Sequence, residues 1–228
     1  MANQTTTSSQ AKTRGILARP LDSLFFLLPL ILFYELATLF LQASAISPTG
    51  ERVVVLQFIQ TIFEMLGTSG ASWAGLVVVA VLVATHVVSG QPWRFRPGVI
   101  TLMYAESAAW ALPLIAVSYA TQMAATRFPD QTILANMALC VGAGIYEELI
   151  FRLVLISALV IVGADILRFP PTATLTAAVL AAGVAFAIHH HPPFGSDPFD
   201  AFRFTFRFRA GVYLGVIFIF RGYGSAAA

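Results

Sequence analysis

The sequence predicts an all-α, polytopic membrane bundle of about six transmembrane helices with one interfacial helix, and three observations predict it. Apolar runs long enough to cross a bilayer recur along the chain. Of 228 residues, 58% are hydrophobic and only 11% are charged, against about 25% in an ordinary soluble domain, and the mean hydropathy is +0.81. Two carboxylates, Glu147 and Glu148, stand side by side inside one of those runs. A charge at the centre of a membrane helix costs roughly 2.5–3.5 kcal/mol on insertion scales, so the pair must be offset by partners or put to use.

Residues 1–20 are rich in Ser, Thr and Gln and carry Lys12, Arg14 and Arg19 ahead of the first apolar run, which predicts a disordered cytoplasmic tail. The first span covers 23–43. Ala43-Ser44-Ala45 resembles a signal-peptide cleavage site, but the run is too long for one and contains Glu35, so a retained helix is expected. Residues 47–50 form a Pro/Gly turn, and 53–66, interrupted by Gln57, Gln60 and Glu64, read as the interfacial helix. Further spans are expected at about 71–88, 98–121 with Pro113 inside it, 132–162, 172–189 and 206–220. Trp73, Trp93 and Tyr223 lie near span ends, as interfacial anchors do.

With the N-terminal tail inside, Arg94, Arg96 and Arg168 fall in cytoplasmic turns, whereas the loop 192–209, with Arg203, Arg207 and Arg209, does not fit that pattern. Its Phe-Arg alternation has a strand-like period but is more simply read as Arg snorkelling toward headgroups. Residues 21–228 are expected to form a single integral membrane domain, in the cell (inner) membrane with the N-terminus cytoplasmic. The partner this implies is the lipid bilayer. A net charge of +2, spread over connecting segments, argues against nucleic acid. The lone cysteine, Cys140, has no possible intrachain disulfide partner and reads as a small buried hydrophobe.

Glu148 and Arg152 are four apart, stacked on one helix face in the favoured acid-before-base order. Glu147 is rotated by about 100° from Glu148 and must face a different neighbour, which leaves it available for proton chemistry. On spacing alone, the three also suit a structural ion cluster bridging helices. The second polar concentration is His189-His190-His191 before Pro192, where the residues also fit an interfacial helix end. At most one or two of the three can face Glu147. Glu35, His86 and Glu106 lie inside expected spans and suit either interhelical hydrogen bonds or a polar path.

Glu-Glu-x-x-x-Arg at 147–152, followed by Phe-x-x-x-His at 186–190, resembles the CPBP family of intramembrane proteases, the group of CAAX and bacteriocin-processing endopeptidases also called ABI. The resemblance covers residues 136–228. It implies hydrolysis of a peptide bond in a membrane-associated peptide or protein, with water activation by Glu147 and His190, Glu148 and Arg152 as the supporting pair and Phe186 packed beside the site against substrate. The family's third motif, a His followed four residues later by Asn or Asp, is missing: no histidine follows His191. The resemblance therefore implies a C-terminally shortened core with doubtful activity, and a catalytically impaired immunity or peptide-binding protein of the same fold is the alternative.

No Gly-x-Ser-x-Gly or His-Glu-x-x-His occurs, which argues against a serine hydrolase elbow and a common zinc-protease helix. Residue chemistry leaves a metal held by Glu147 and one of His189, His190 or His191 open. The resemblance points to a reaction without metal or cofactor. A proton-coupled transporter relaying through Glu35, Glu106 and Glu147 would call for inverted repeats or broken helices, which the sequence does not display.

Overall fold

The computed structural model describes residues 20–43, 74–120, 132–195 and 197–227. The expected tail at 1–19, the turn at 47–50, the interfacial helix at 53–66 and Trp73 lie outside these residues. Seven helices make up the described part: α1 Pro20–Ala43, α2 Ala74–Ser89, α3 Pro97–Ala120, α4 Ile133–Ile166, α5 Pro171–His189, α6 Ala201–Arg221 and the short α7 Tyr223–Ala227. The all-α bundle is as the sequence predicts, and each of the six expected spans falls on one of α1 to α6.

Four of these, α1, α3, α4 and α5, are long and apolar enough to cross a membrane. The helix α2 has 16 residues, about 24 Å at 1.5 Å per residue, short of a hydrocarbon core of about 30 Å. Four arginines set α6 apart: Arg203, Arg207, Arg209 and Arg221. It begins at Ala201, so the second half of the stretch expected as a loop to Arg209 is helix, started by Asp200, whose side chain accepts from the Arg203 N–H at 2.8 Å. The Phe-Arg alternation is thus helical, and its arginines are distributed around α6.

The outer face of the bundle is apolar, as a lipid-facing surface must be. Only 11% of the apolar window of α3 is buried, and exposed Leu32, Leu36 and Phe40 on α1 and Leu102 and Leu112 on α3 present hydrocarbon outward. Inside, one core gathers Phe26 and Leu27 of α1, Val78 and Leu82 of α2, Ile145 and Ile156 of α4, and Phe218 of α6. Small residues let the helices approach: a Cβ on Gly142 would sit 2.5 Å from the Tyr34 ring, and one on Gly211 would sit 3.0 Å from Gly183 Cα.

Several polar groups are paired between elements. Asp22 at the start of α1 holds Arg96 just ahead of α3, and Glu106 of α3 accepts from Trp110 and pairs with Arg221 of α6. Glu35 accepts from the Gly75 N–H at 3.0 Å and from the Tyr146 hydroxyl at 3.4 Å, tying α1 to α2 and α4. Both glutamates therefore make interhelical bonds. His86 is buried with an edge-on contact to the exposed Trp93.

Two expectations about individual residues change. Tyr223 is a core residue, 3% exposed, donating its hydroxyl to the Ile145 carbonyl at 2.7 Å, because Gly222 at φ 87° turns the chain back into the bundle. Cys140 is exposed.

The α5–α6 crossing depends on a missing side chain. A Cβ on Gly183 would meet Val212 Cγ2 at 2.8 Å and the Phe208 carbonyl at 3.3 Å. Gly183→Leu is expected to force these helices apart and lower stability by about 1–3 kcal/mol, read as a drop in the thermal midpoint of the detergent-solubilised protein. An unchanged midpoint would contradict this packing.

Candidate functional site

The site is built where α4 changes its winding. From Ile133 to Glu148 the helix is α-helical, opened by Thr132, whose hydroxyl oxygen accepts from the Ala135 N–H at 3.2 Å. Leu149–Ile156 and Ile161–Ile166 are wound in wide π-type turns, separated by Ser157–Val160. The acidic pair stands at the first of these junctions. Such turns widen the helix locally and redirect side chains, and they are frequent at functional sites.

Glu148 and Arg152 form a buried ion pair at 2.8 Å, their side chains 4% and 1% exposed. Arg152 also donates from Nη2 to the Gly211 carbonyl of α6 at 3.3 Å, and its guanidinium lies 4.5 Å above the centre of the Phe186 ring of α5. One arginine therefore joins α4, α5 and α6.

Glu147 points elsewhere, as its rotation about the helix requires. Its Oε1 lies 4.0 Å from His190 Nε2, and both side chains are partly accessible, at 15% and 23%. His190 Nδ1 is 2.8 Å from the Phe186 carbonyl. A carbonyl only accepts, so Nδ1 carries the proton, and in the neutral imidazole Nε2 is then the acceptor turned toward Glu147. Phe186 packs edge-on against His190 at 5.0 Å and against Phe151 at 5.5 Å, which fixes the imidazole from the side.

The structure thus brings together all five residues singled out in the sequence, and the two neighbouring histidines diverge. His189 packs on Phe151 at 5.3 Å, while His191 is buried with Nδ1 at 3.0 Å from the Asp197 carbonyl. Among the described residues no group of three or more His, Cys, Asp or Glu side chains is placed to hold a metal ion.

Sequence reasoning missed Asp197 and Arg207. The loop after α5 folds under His190: the Asp197 N–H donates to the His190 carbonyl at 3.2 Å, and a Cβ on Gly195 would collide with that carbonyl at 2.4 Å. The Asp197 carboxylate pairs with Arg207 of α6. That pairing holds the Asp197 carboxyl below its ordinary range. The only hint in the sequence was an acid ten residues before an arginine, across a loop of unknown shape. Behind Glu148, a cavity of about 290 Å³ is lined by Ser107, Cys140 and Leu214 and by Ser225 to Ala227 of α7.

Residues 129–227 match the family model of the type II CAAX prenyl endopeptidases, described as Rce1-like. This part of the chain resembles that family. The match begins ahead of Asn136 and contains both motifs, so the resemblance they carry is borne out. The Rce1-like family is a family of proteases, and the apolar helices suit a protein embedded in a lipid bilayer. No curated protein and no solved structure matches the chain.

Two outcomes follow from the charge pairs. Arg152→Met leaves a buried carboxylate without its partner and is expected to lower stability by about 3–5 kcal/mol, while Glu148→Gln combined with Arg152→Met is expected to recover much of that in the same melting assay. An Arg152→Met protein as stable as the unaltered one would contradict the pairing. For Asp197, the lowered carboxyl means that pairing with Arg207 stabilises the fold above the ordinary carboxylate range and is lost as pH falls through the lowered value. The stability difference between the unaltered protein and Asp197→Asn is therefore expected to close on acidification. A difference that stays constant from neutral pH to pH ~2 would contradict it.

Proposed function

We propose that this protein is an intramembrane endopeptidase of the CAAX-processing type, hydrolysing a peptide bond near the end of a membrane-associated peptide or protein. The observation that carries this reading is the facing of Glu147 and an acceptor nitrogen of His190 across 4.0 Å. That gap is too long for a direct hydrogen bond and suits one bridging water. A water about 2.8 Å from each group would meet them at roughly a right angle, with both of its hydrogens engaged and its lone pairs free to face a substrate carbonyl.

In this mechanism Glu147 is the base. As the water oxygen attacks the scissile carbonyl carbon, one water proton passes to the Glu147 carboxylate, while His190 Nε2 accepts the second hydrogen bond and orients the nucleophile. The carbonyl π pair moves onto oxygen. When the tetrahedral intermediate collapses, the C–N bond breaks and the proton held by Glu147 moves to the leaving amine. Glu148 and Arg152 take no proton; they fix the helix turn that aims Glu147. Phe186 positions His190 through its carbonyl and lies where the substrate chain would pass.

The reaction uses only protein side chains and water. Arg94, Arg96 and Arg168 lie at the end of the bundle where α1 begins, which supports a cytoplasmic N-terminus in a cell membrane. Residues 136–228 would supply the catalytic core of a single membrane domain.

Glu147→Gln and His190→Ala are each expected to lower kcat/KM for a prenylated reporter peptide in proteoliposomes by about 100- to 10,000-fold. The helical circular dichroism and thermal midpoint should hold. Cleavage at the unaltered rate in both variants, with folding intact, would overturn the proposal and leave a peptide-binding or immunity role for the same fold.

A further inference from the structure

Resting on the proteolytic reading above, we infer that Arg207 of α6 is a further catalytic residue, whose Nη1–H donates to the oxyanion that forms on the scissile carbonyl. Hydrolysis places a full negative charge on that oxygen, and a buried, pre-aimed donor is worth more there than any other single group. Arg207 meets the structural requirements for such a donor.

The face of α6 turned toward the site is set by independent contacts. Gly211, one turn beyond Arg207, accepts from Arg152 through its carbonyl, and a Cβ there would meet Phe186 at 3.3 Å. Phe204, one turn before, stacks near the His191 ring at 6.2 Å. Residues three and four apart share a helix face, so Arg207 projects from the stripe that meets Phe186, Arg152 and the histidine loop.

Its two terminal nitrogens are used unequally. Nη2 is held by Asp197, and Asp197 is tied through its backbone N–H to the His190 carbonyl, so the guanidinium is anchored to the same loop as the proposed water-orienting histidine. Nη1 is buried and has no hydrogen-bond partner among the described residues. A buried guanidinium N–H left unpaired costs free energy in the resting protein, and an incoming oxyanion would satisfy it. The cation is also within electrostatic reach of both Glu147 and His190. Asp197 is then a positioning residue that leaves one N–H of the fork free.

In the reaction, Arg207 gains and loses no proton. Water adds to the carbonyl carbon, its proton goes to Glu147, and the oxygen, now carrying the former π pair, accepts from Nη1–H. On collapse the pair returns to the C=O bond, the C–N bond breaks, and the hydrogen bond to Arg207 relaxes.

The test is steady-state cleavage of the prenylated reporter by the full chain in proteoliposomes, comparing Arg207→Gln, Arg207→Lys and Glu147→Gln at matched thermal midpoints. Arg207→Gln is expected to lose roughly 100- to 1000-fold in kcat with KM changed less than about threefold. Arg207→Lys is expected to fall between, since one ammonium held by Asp197 cannot present a second, fixed N–H. Should Arg207→Gln not fold, Arg207→Lys carries the comparison, and an unaltered kcat there overturns the inference. A raised KM with unaltered kcat would also overturn it, by assigning Arg207 to ground-state binding of a substrate anion. Loss of cleavage in Glu147→Gln beside full kcat in both Arg207 variants would sink this inference alone. Equal rates in the unaltered chain and Glu147→Gln would sink the proteolytic reading and this inference with it.

Discussion

The ion pair of Glu148 and Arg152 is the constraint on which the rest of the site depends. Both groups lie in a segment long and apolar enough to cross a membrane, where neither could remain without the other. Holding them at 2.8 Å fixes the first wide turn of α4, and Nη2 and the face of Arg152 recruit the Gly211 carbonyl and the Phe186 ring. Three helices are thereby set in register around one guanidinium. Glu147 inherits its direction from that arrangement, since the neighbouring acid is already committed.

A similar arrangement recurs one layer outward. Asp197 occupies Nη2 of Arg207 as Glu148 occupies Arg152, and the loop between α5 and α6 is closed by backbone bonds to His190 and His191. Each arginine is pinned by one carboxylate and keeps a donor face for something else. For Arg152 that face meets the protein. For Arg207 it is buried and unpaired among the described residues, and the substrate is what we infer completes it. Glu147 and His190 face each other across a gap sized for water, with a histidine tautomer set by the Phe186 carbonyl.

Much of this was legible in the residues. Spacing of four linked Glu148 to Arg152, and the 100° step separated Glu147 from it, because both relations are local to one helix. The motif order placed His190 opposite Glu147 and Phe186 beside it. Hydropathy located six helices to within a few residues at most ends, except at α6, where alternating Phe and Arg lowered the apolar signal and hid five helical residues. Other features depend on tertiary contact and left no local trace. Widened turns in α4 have no sequence signature, the burial of Tyr223 follows from a glycine at φ 87°, and the Asp197–Arg207 pair joins a loop to a helix face whose orientation only packing determines. The exposure of Cys140 likewise depends on tertiary packing.

The central claim is that Glu147 and His190 act as one unit on one water. A double-mutant cycle on single-turnover cleavage of a prenylated peptide in proteoliposomes, with Glu147→Gln, His190→Ala and both together, tests it most directly. The account expects the double variant to be no slower than the slower single variant, because removing either group already abolishes the held water. Losses that multiply, so that the two substitutions act independently, would contradict it.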